Sequence, residues 1–156
     1  MIKNEEDRES IIKQWKAVRL YQAMVRTNTV GAFAGGAVLM PDFLNGCNTL
    51  VLIFAFAVFE RTLQILRSEN AYPEPPEGRT GFKALMLASR TSLPWIDFDL
   101  MSEGRDERHR AAHGLKIVPR AECWRYIDAI ERELVSWRAL PGPIVAEYVI
   151  TRGQAQ

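Results

Sequence analysis

Ten consecutive apolar residues, Leu50 to Phe59, set the strongest limit on what this chain can fold into. A helix that is apolar on every face has to be covered on every face, so it belongs at the centre of a bundle. The run lies within a longer apolar stretch that starts at Val30 and is interrupted by Pro41, Asp42, Asn45 and Asn48. The clean runs on either side are about ten residues, short of the roughly 20 that a spanning helix needs. A buried core helix from Pro41 or Asp42 to about Ser68 is therefore expected, with no membrane association. Beyond Phe59 the pattern becomes amphipathic, with Leu63, Ile65 and Leu66 among Glu60, Arg61, Gln64 and Arg67.

The other segments supply partners for that helix. Asn4 to about Arg26 carries Ile11, Trp15, Val18, Gln22 and Val25 at helical spacing, widened by Leu20, Tyr21 and Met24. Glu5, Glu6, Asp7 and Glu9 gather at its start, where the helix dipole favours negative charge. Thr27 to Gly36 holds three glycines and reads as a loop. The proline-rich stretch Tyr72 to Gly78 predicts a surface loop. A helix over Thr80 to Ser89 follows, with Phe82, Leu85 and Met86 inward. Ser102 is the expected cap of a short helix ending at His113, with Asp106 and Glu107 in its first turn and Gly114 as its stop. Pro119 suits a first helical position and opens a last helix to about Leu140. Its apolar stripe is Cys123, Trp124, Ile127, Ile130, Leu134 and Trp137. Pro141-Gly142-Pro143 ends it, and the apolar Ile144 to Ile150 can pack back on the bundle or on a second subunit. The sum is an all-α, up-and-down bundle of about five helices in one domain, with a core over about 4–140 and a C-terminal extension.

Composition narrows the functional classes. The 156 residues suit one domain with a real core. Twenty Lys and Arg against 19 Asp and Glu leave a net charge of +1, which argues against a general polyanion binder. The two cysteines, Cys47 and Cys123, are far apart with no metal-type spacing, so two buried free thiols in a reducing, cytoplasmic setting are expected. The N-terminus is charged and lacks the apolar stretch of a signal peptide.

Chemistry concentrates in Arg105-Asp106-Glu107-Arg108-His109-Arg110-Ala111-Ala112-His113-Gly114, which holds both histidines of the chain. Within it, Arg108 precedes His113 by five residues, and a polar residue, His109, directly follows the arginine. Histidine titrates near neutral pH and can take or give a proton. Arginine stays charged and grips two phosphate oxygens at once. That pair suits RNA cleavage by 2′-hydroxyl attack, and it requires no metal. His109 and His113 are four apart on one helix face and can hold a metal, but no cysteine and no third histidine lies nearby, so neither metal nor other cofactor is expected. The stretch from Arg105 to Arg120 carries five basic residues, Arg105, Arg108, Arg110, Lys116 and Arg120, against Asp106 and Glu107, or +3 locally. That is a modest RNA-facing patch.

The string Arg108-His109-Arg110-Ala111-Ala112-His113, at the end of a short helix and set between a long apolar helix and an amphipathic one, resembles the signature of HEPN domains. The resemblance covers roughly residues 4–140 and rests mainly on those six. It implies a dimerising helical bundle that acts as a metal-independent endoribonuclease, often a toxin with a neutralising antitoxin protein or a phage-defence effector. In that reading Arg108 and His113 are the catalytic pair and His109 fills the polar position, where asparagine is commoner. Other members of the family bind RNA or protein without cleaving, which is the alternative expectation here. Glu60 is a candidate to orient the histidine, or else to pair with a buried arginine for structure. Five residues on an ideal helix is about 140° of rotation, so Arg108 and His113 do not share a face. Two helices meeting across a two-fold axis bring two such pairs into one cleft, which predicts a homodimer with a composite site.

Overall fold

The computed structural model describes residues 2–34, 41–76, 81–114 and 116–145, without the side chains of 27–34 and 41–42. Among these residues it is an all-α bundle of five helices: α1 (Glu5–Ala34), α2 (Pro41–Ser68), α3 (Phe82–Ser89), α4 (Phe98–Gly114) and α5 (Arg120–Ser136). There is no strand among the described residues. The apolar α2 touches all four other helices, as its composition requires.

The polar residues that divide the apolar run do not break α2. Asn48 donates to the Leu44 carbonyl at 2.8 Å, and the Thr49 hydroxyl donates to the Asn45 carbonyl at 2.8 Å. Thr49 also accepts the Val118 amide at 2.9 Å, which pins the connector after α4 to the middle of the bundle. With its polar groups satisfied, the helix runs unbroken. Phe43–Ser68 is thus long and apolar enough to cross a membrane by length and composition, and 61% of its most apolar window is packed inside the bundle.

Several boundaries differ from expectation for identifiable reasons. Helix α1 continues through Gly31 to Ala34, because a lone glycine costs only about 1 kcal/mol inside a helix. Leu20 and Tyr21 are exposed, leaving Ile11, Trp15 and Val18 as its buried stripe. Helix α4 starts five residues earlier than expected, at Phe98. The Asp97 carboxylate accepts the Leu100 amide at 2.9 Å, so Asp97 is the cap in place of Ser102. From α5, Glu133 accepts the Ile96 amide at 2.9 Å and the Asp97 amide at 2.7 Å, fixing where α4 begins. Burial pushes the Glu133 carboxyl above the ordinary carboxylate range, against the pull of those two amides. Pro119 is the cap of α5, and the helix stops at Ser136, short of Leu140. There the Ala139 amide bonds the Leu134 carbonyl and the Arg138 amide bonds the Val135 carbonyl, a Schellman stop with Arg138 at φ 56°. Helix α2 ends the same way on Asn70, at φ 59°. The loop residue Tyr72 is buried, and its hydroxyl donates to the Leu63 carbonyl at 2.7 Å.

Phe59, Trp95 and Trp137 form the aromatic centre, with Phe59 stacked on Trp137 at 5.2 Å and Trp95 edge-on to Trp137 at 4.8 Å. Cys123 is buried, its thiol pushed up to about 12 by burial. Cys47 is only half-buried, contrary to expectation, and both are free. The Ile144 amide donates to Glu131 at 3.0 Å, so the chain does fold back after Pro143. The rest of the expected apolar extension, 146–150, lies outside the described residues.

Helix α4 approaches α2 and α5 closely because residue 104 is glycine. A Cβ there sits 2.7 Å from Phe56 Cζ and 2.7 Å from Tyr126 Cδ1, both on fully buried rings. Overpacking of that kind costs about 1–3 kcal/mol, more than the roughly 1 kcal/mol that alanine gains in helix propensity. Gly104→Ala is expected to lower the urea midpoint and Gly104→Val to lower it further; an unchanged midpoint in both contradicts this packing.

Candidate functional site

Helix α4 carries the candidate catalytic residues, and the turn after Gly104 points them in different directions. Arg108 faces the core helix. Its side chain is 24% exposed and its Nη2 lies 3.9 Å from a carboxylate oxygen of Glu60 on α2. The Nε of Arg108 is buried with no hydrogen-bond partner among the described residues. Glu60 therefore pairs with the arginine, not with a histidine. At 3.9 Å the contact is too long for a hydrogen bond, so Glu60 lies beside the guanidinium without committing its donors.

His113 and His109 are both exposed on the outer face. Their ring centroids are 4.6 Å apart with planes tilted 53°, as expected for neighbours one turn apart. Neither imidazole makes a hydrogen bond or ion pair among the described residues. Arg108 and His113 lie on one unbroken helix, so within a chain they remain about 140° apart around its axis. A single chain brings the two histidines together and leaves the arginine turned away.

The four basic residues that accompany Arg108 in the expected RNA-facing patch divide. Arg105 is not a solvated charge: its side chain is 14% exposed, pairs with Asp106, and has a buried Nε without a partner among the described residues. Arg110 and Lys116 share one carboxylate, Glu107, at 2.5 and 2.7 Å. Glu107 thus lies mid-helix and ties the end of α4 to the following connector, rather than serving a first turn. Arg120 sits over the Trp124 ring at 4.1 Å, and Arg26 lies 5.7 Å from the same ring. The indole Nε1 of Trp124 donates to Asn48 at 3.1 Å, which fixes the ring between the two cations.

One polar cluster was missed. The Tyr126 hydroxyl donates to Glu103 at 2.8 Å, and Arg125 donates to both Tyr126 and Glu103, at 3.0 and 2.8 Å. Burial pushes the Tyr126 hydroxyl up to about 12, so it remains a donor at neutral pH. The cluster joins α4 to α5 beside Gly104. The only sequence signal for it was the polar Glu103 next to that glycine. Among the described residues no group of three or more His, Cys, Asp or Glu side chains is placed to cage a metal.

Chemically, the end of α4 offers an exposed proton-transfer group and a positioned cation, the two elements of metal-free phosphodiester cleavage. No family model, curated protein or solved structure matches this chain.

Proposed function

We propose that the protein is a metal-independent endoribonuclease of HEPN type, acting as a homodimer in the cytoplasm. One observation carries the reading: an exposed His113 imidazole on the same helix as an Arg108 guanidinium whose nearest carboxylate among the described residues, Glu60, is 3.9 Å away and leaves its donors free. Because the two groups diverge on one helix, a complete site takes His113 from one protomer and Arg108 from its partner. Ile117, exposed only four residues beyond His113, adds apolar surface for such an association.

In the cleavage step the ribose 2′-oxygen bonds to phosphorus as the bond to the 5′-oxygen breaks. His113 takes the 2′ proton, or returns one to the departing 5′-oxygen. The products are a 2′,3′-cyclic phosphate and a 5′-hydroxyl. Arg108 holds the non-bridging oxygens, where charge accumulates. His109, one turn before His113, lines the same cleft. The locally basic segment from Arg105 to Arg120 supports a salt-sensitive RNA contact. Arg110, Lys116 and Arg120 are its accessible members, while Arg105 serves packing.

Incubation of the purified dimer with total RNA in EDTA tests the reading. Cleavage is expected, and intact RNA at all salt concentrations contradicts it. That result would favour the second reading, a HEPN-like module that binds RNA or protein without cutting. A nuclease without its neutralising partner is also expected to slow bacterial growth when expressed alone. The growth defect should vanish with His113→Ala at equal soluble expression. Normal growth with abundant soluble wild-type protein runs against a toxin or defence-effector role.

A further inference from the structure

We infer that His109 and His113 form a two-imidazole site for a borderline-soft divalent cation such as Zn2+ or Ni2+, and that its occupancy switches cleavage off. In the sequence this pair is set aside for want of a third ligand, which a closed cage needs. A labile two-point site asks for less. Both rings are exposed, one helical turn apart, and unpartnered in hydrogen bonding among the described residues. A cation about 2.0–2.1 Å from one nitrogen of each ring holds the two centroids about 4.5 Å apart at a bond angle of about 90° and about 5.3 Å apart at about 110°. The observed separation is 4.6 Å. The helix thus places the two rings at a separation that a shared cation requires.

The chemistry selects the ion. Neutral imidazole suits Zn2+, Ni2+ and Cu2+, whereas Mg2+ takes oxygen ligands and holds its water. No third protein ligand closes the site among the described residues, so the remaining positions go to water and the ion stays exchangeable. A metal on His113 occupies the lone pair that proton transfer needs. The inhibition clause rests on the nuclease reading, while the binding clause does not.

Calorimetry with Zn2+ alone, on tag-free protein in a Cys47→Ser background, tests binding directly. Saturation at one ion per chain, or one per dimer if two pairs share it, is expected, with no heat from Mg2+. Either His109→Ala or His113→Ala should weaken binding by at least about tenfold, the least loss when a two-point attachment becomes one-point. Both side chains are exposed, so the variants keep their fold, which circular dichroism checks. Undetectable Zn2+ binding, or wild-type affinity in either variant, overturns the site. For inhibition, Zn2+ should stop RNA cleavage by wild-type protein and EDTA should restore it. The inhibitory concentration should rise at least about tenfold in His109→Ala, scored against that variant's own metal-free rate. Tight Zn2+ binding with undiminished cleavage overturns the switch while leaving the site. A wild-type protein that binds Zn2+ and cuts no RNA without metal overturns the nuclease reading and, with it, the switch.

Discussion

His113→Ala is expected to reduce RNA cleavage by about 10²–10⁴-fold, the usual worth of a positioned acid or base, with no change in thermal midpoint. The two halves of that expectation come from one fact. The imidazole is exposed and holds no hydrogen bond among the described residues, so removing it leaves no buried group unsatisfied. Surface changes of that kind stay within about 0.5 kcal/mol. Arg108→Ala should lose about 10²–10³-fold, the range for removing one preorganised donor to a developing charge. It should also cost a little stability, because Glu60 loses its partner. Arg108→Lys separates charge from geometry: a lysine keeps the cation but not the two-pronged grip, so it should remain impaired. Gel-resolved cleavage rates in EDTA, beside melting curves of the same samples, make the comparison. Wild-type rates from the His113→Ala protein would falsify the assignment.

The largest stability effect is expected at Glu131. This buried carboxylate accepts the Trp15 indole at 2.8 Å, Arg19 at 2.5 and 3.1 Å, and the Ile144 amide at 3.0 Å. It joins α1, α5 and the returning C-terminal segment in one network. Glu131→Ala leaves the Arg19 guanidinium, only 13% exposed, with Asp128 and Gln22 alone, and it strands the buried Trp15 indole donor and the part-buried Ile144 amide. Breaking one side of a buried pair costs about 3–5 kcal/mol; with Asp128 still facing Arg19 the loss should lie at the lower end, about 3 kcal/mol or about 6–12 °C in a domain of this size. Glu131→Gln, which keeps an acceptor, should cost less. The same network has a pH signature. Burial alone pushes the Glu131 carboxyl up, but the bonds from Arg19, Ile144 and Trp15 outweigh it and hold it below its ordinary value. A group lowered by folding stabilises above its unfolded value and loses that contribution as pH falls through the folded one. Urea midpoints from neutral to acidic pH should therefore fall less steeply for Glu131→Gln than for wild type. Parallel slopes contradict the network.

How much of this was readable in the sequence follows from where each signal is written. The existence of every helix was legible, because burial of α2, α3 and α5 depends on apolar spacing, and apolar spacing is local. Helix ends were legible only where the capping residue announces itself. Ser102 looked like a cap, but Asp97 does the work with help from Glu133, which is 36 residues away. The stop at Arg138 was invisible because a left-handed turn usually advertises itself with glycine. The candidate pair was visible as a string, and an arginine partner for Glu60 was one of two expectations, yet which arginine was not visible. That Glu60 meets Arg108, and that Glu107 draws in both Arg110 and Lys116, depends on how α4 crosses α2 and on the path of the connector. The crossing depends in turn on Gly104, whose role shows only when Phe56 and Tyr126 are seen against it. Leu20 and Tyr21 were misplaced inward because an apolar residue is a weak sign of burial on its own.

Mixing inactive dimers asks most directly whether a guanidinium and an imidazole from different protomers share one phosphate. Arg108→Ala and His113→Ala proteins, each silent alone, are dissociated together and allowed to reassociate, with hybrid formation followed by a tag on one of them. Random exchange makes half of the dimers hybrid, each with one intact shared site, so about a quarter of wild-type cleavage should return. Hybrids that form and still cut nothing would show that the two side chains never meet across the two-fold axis.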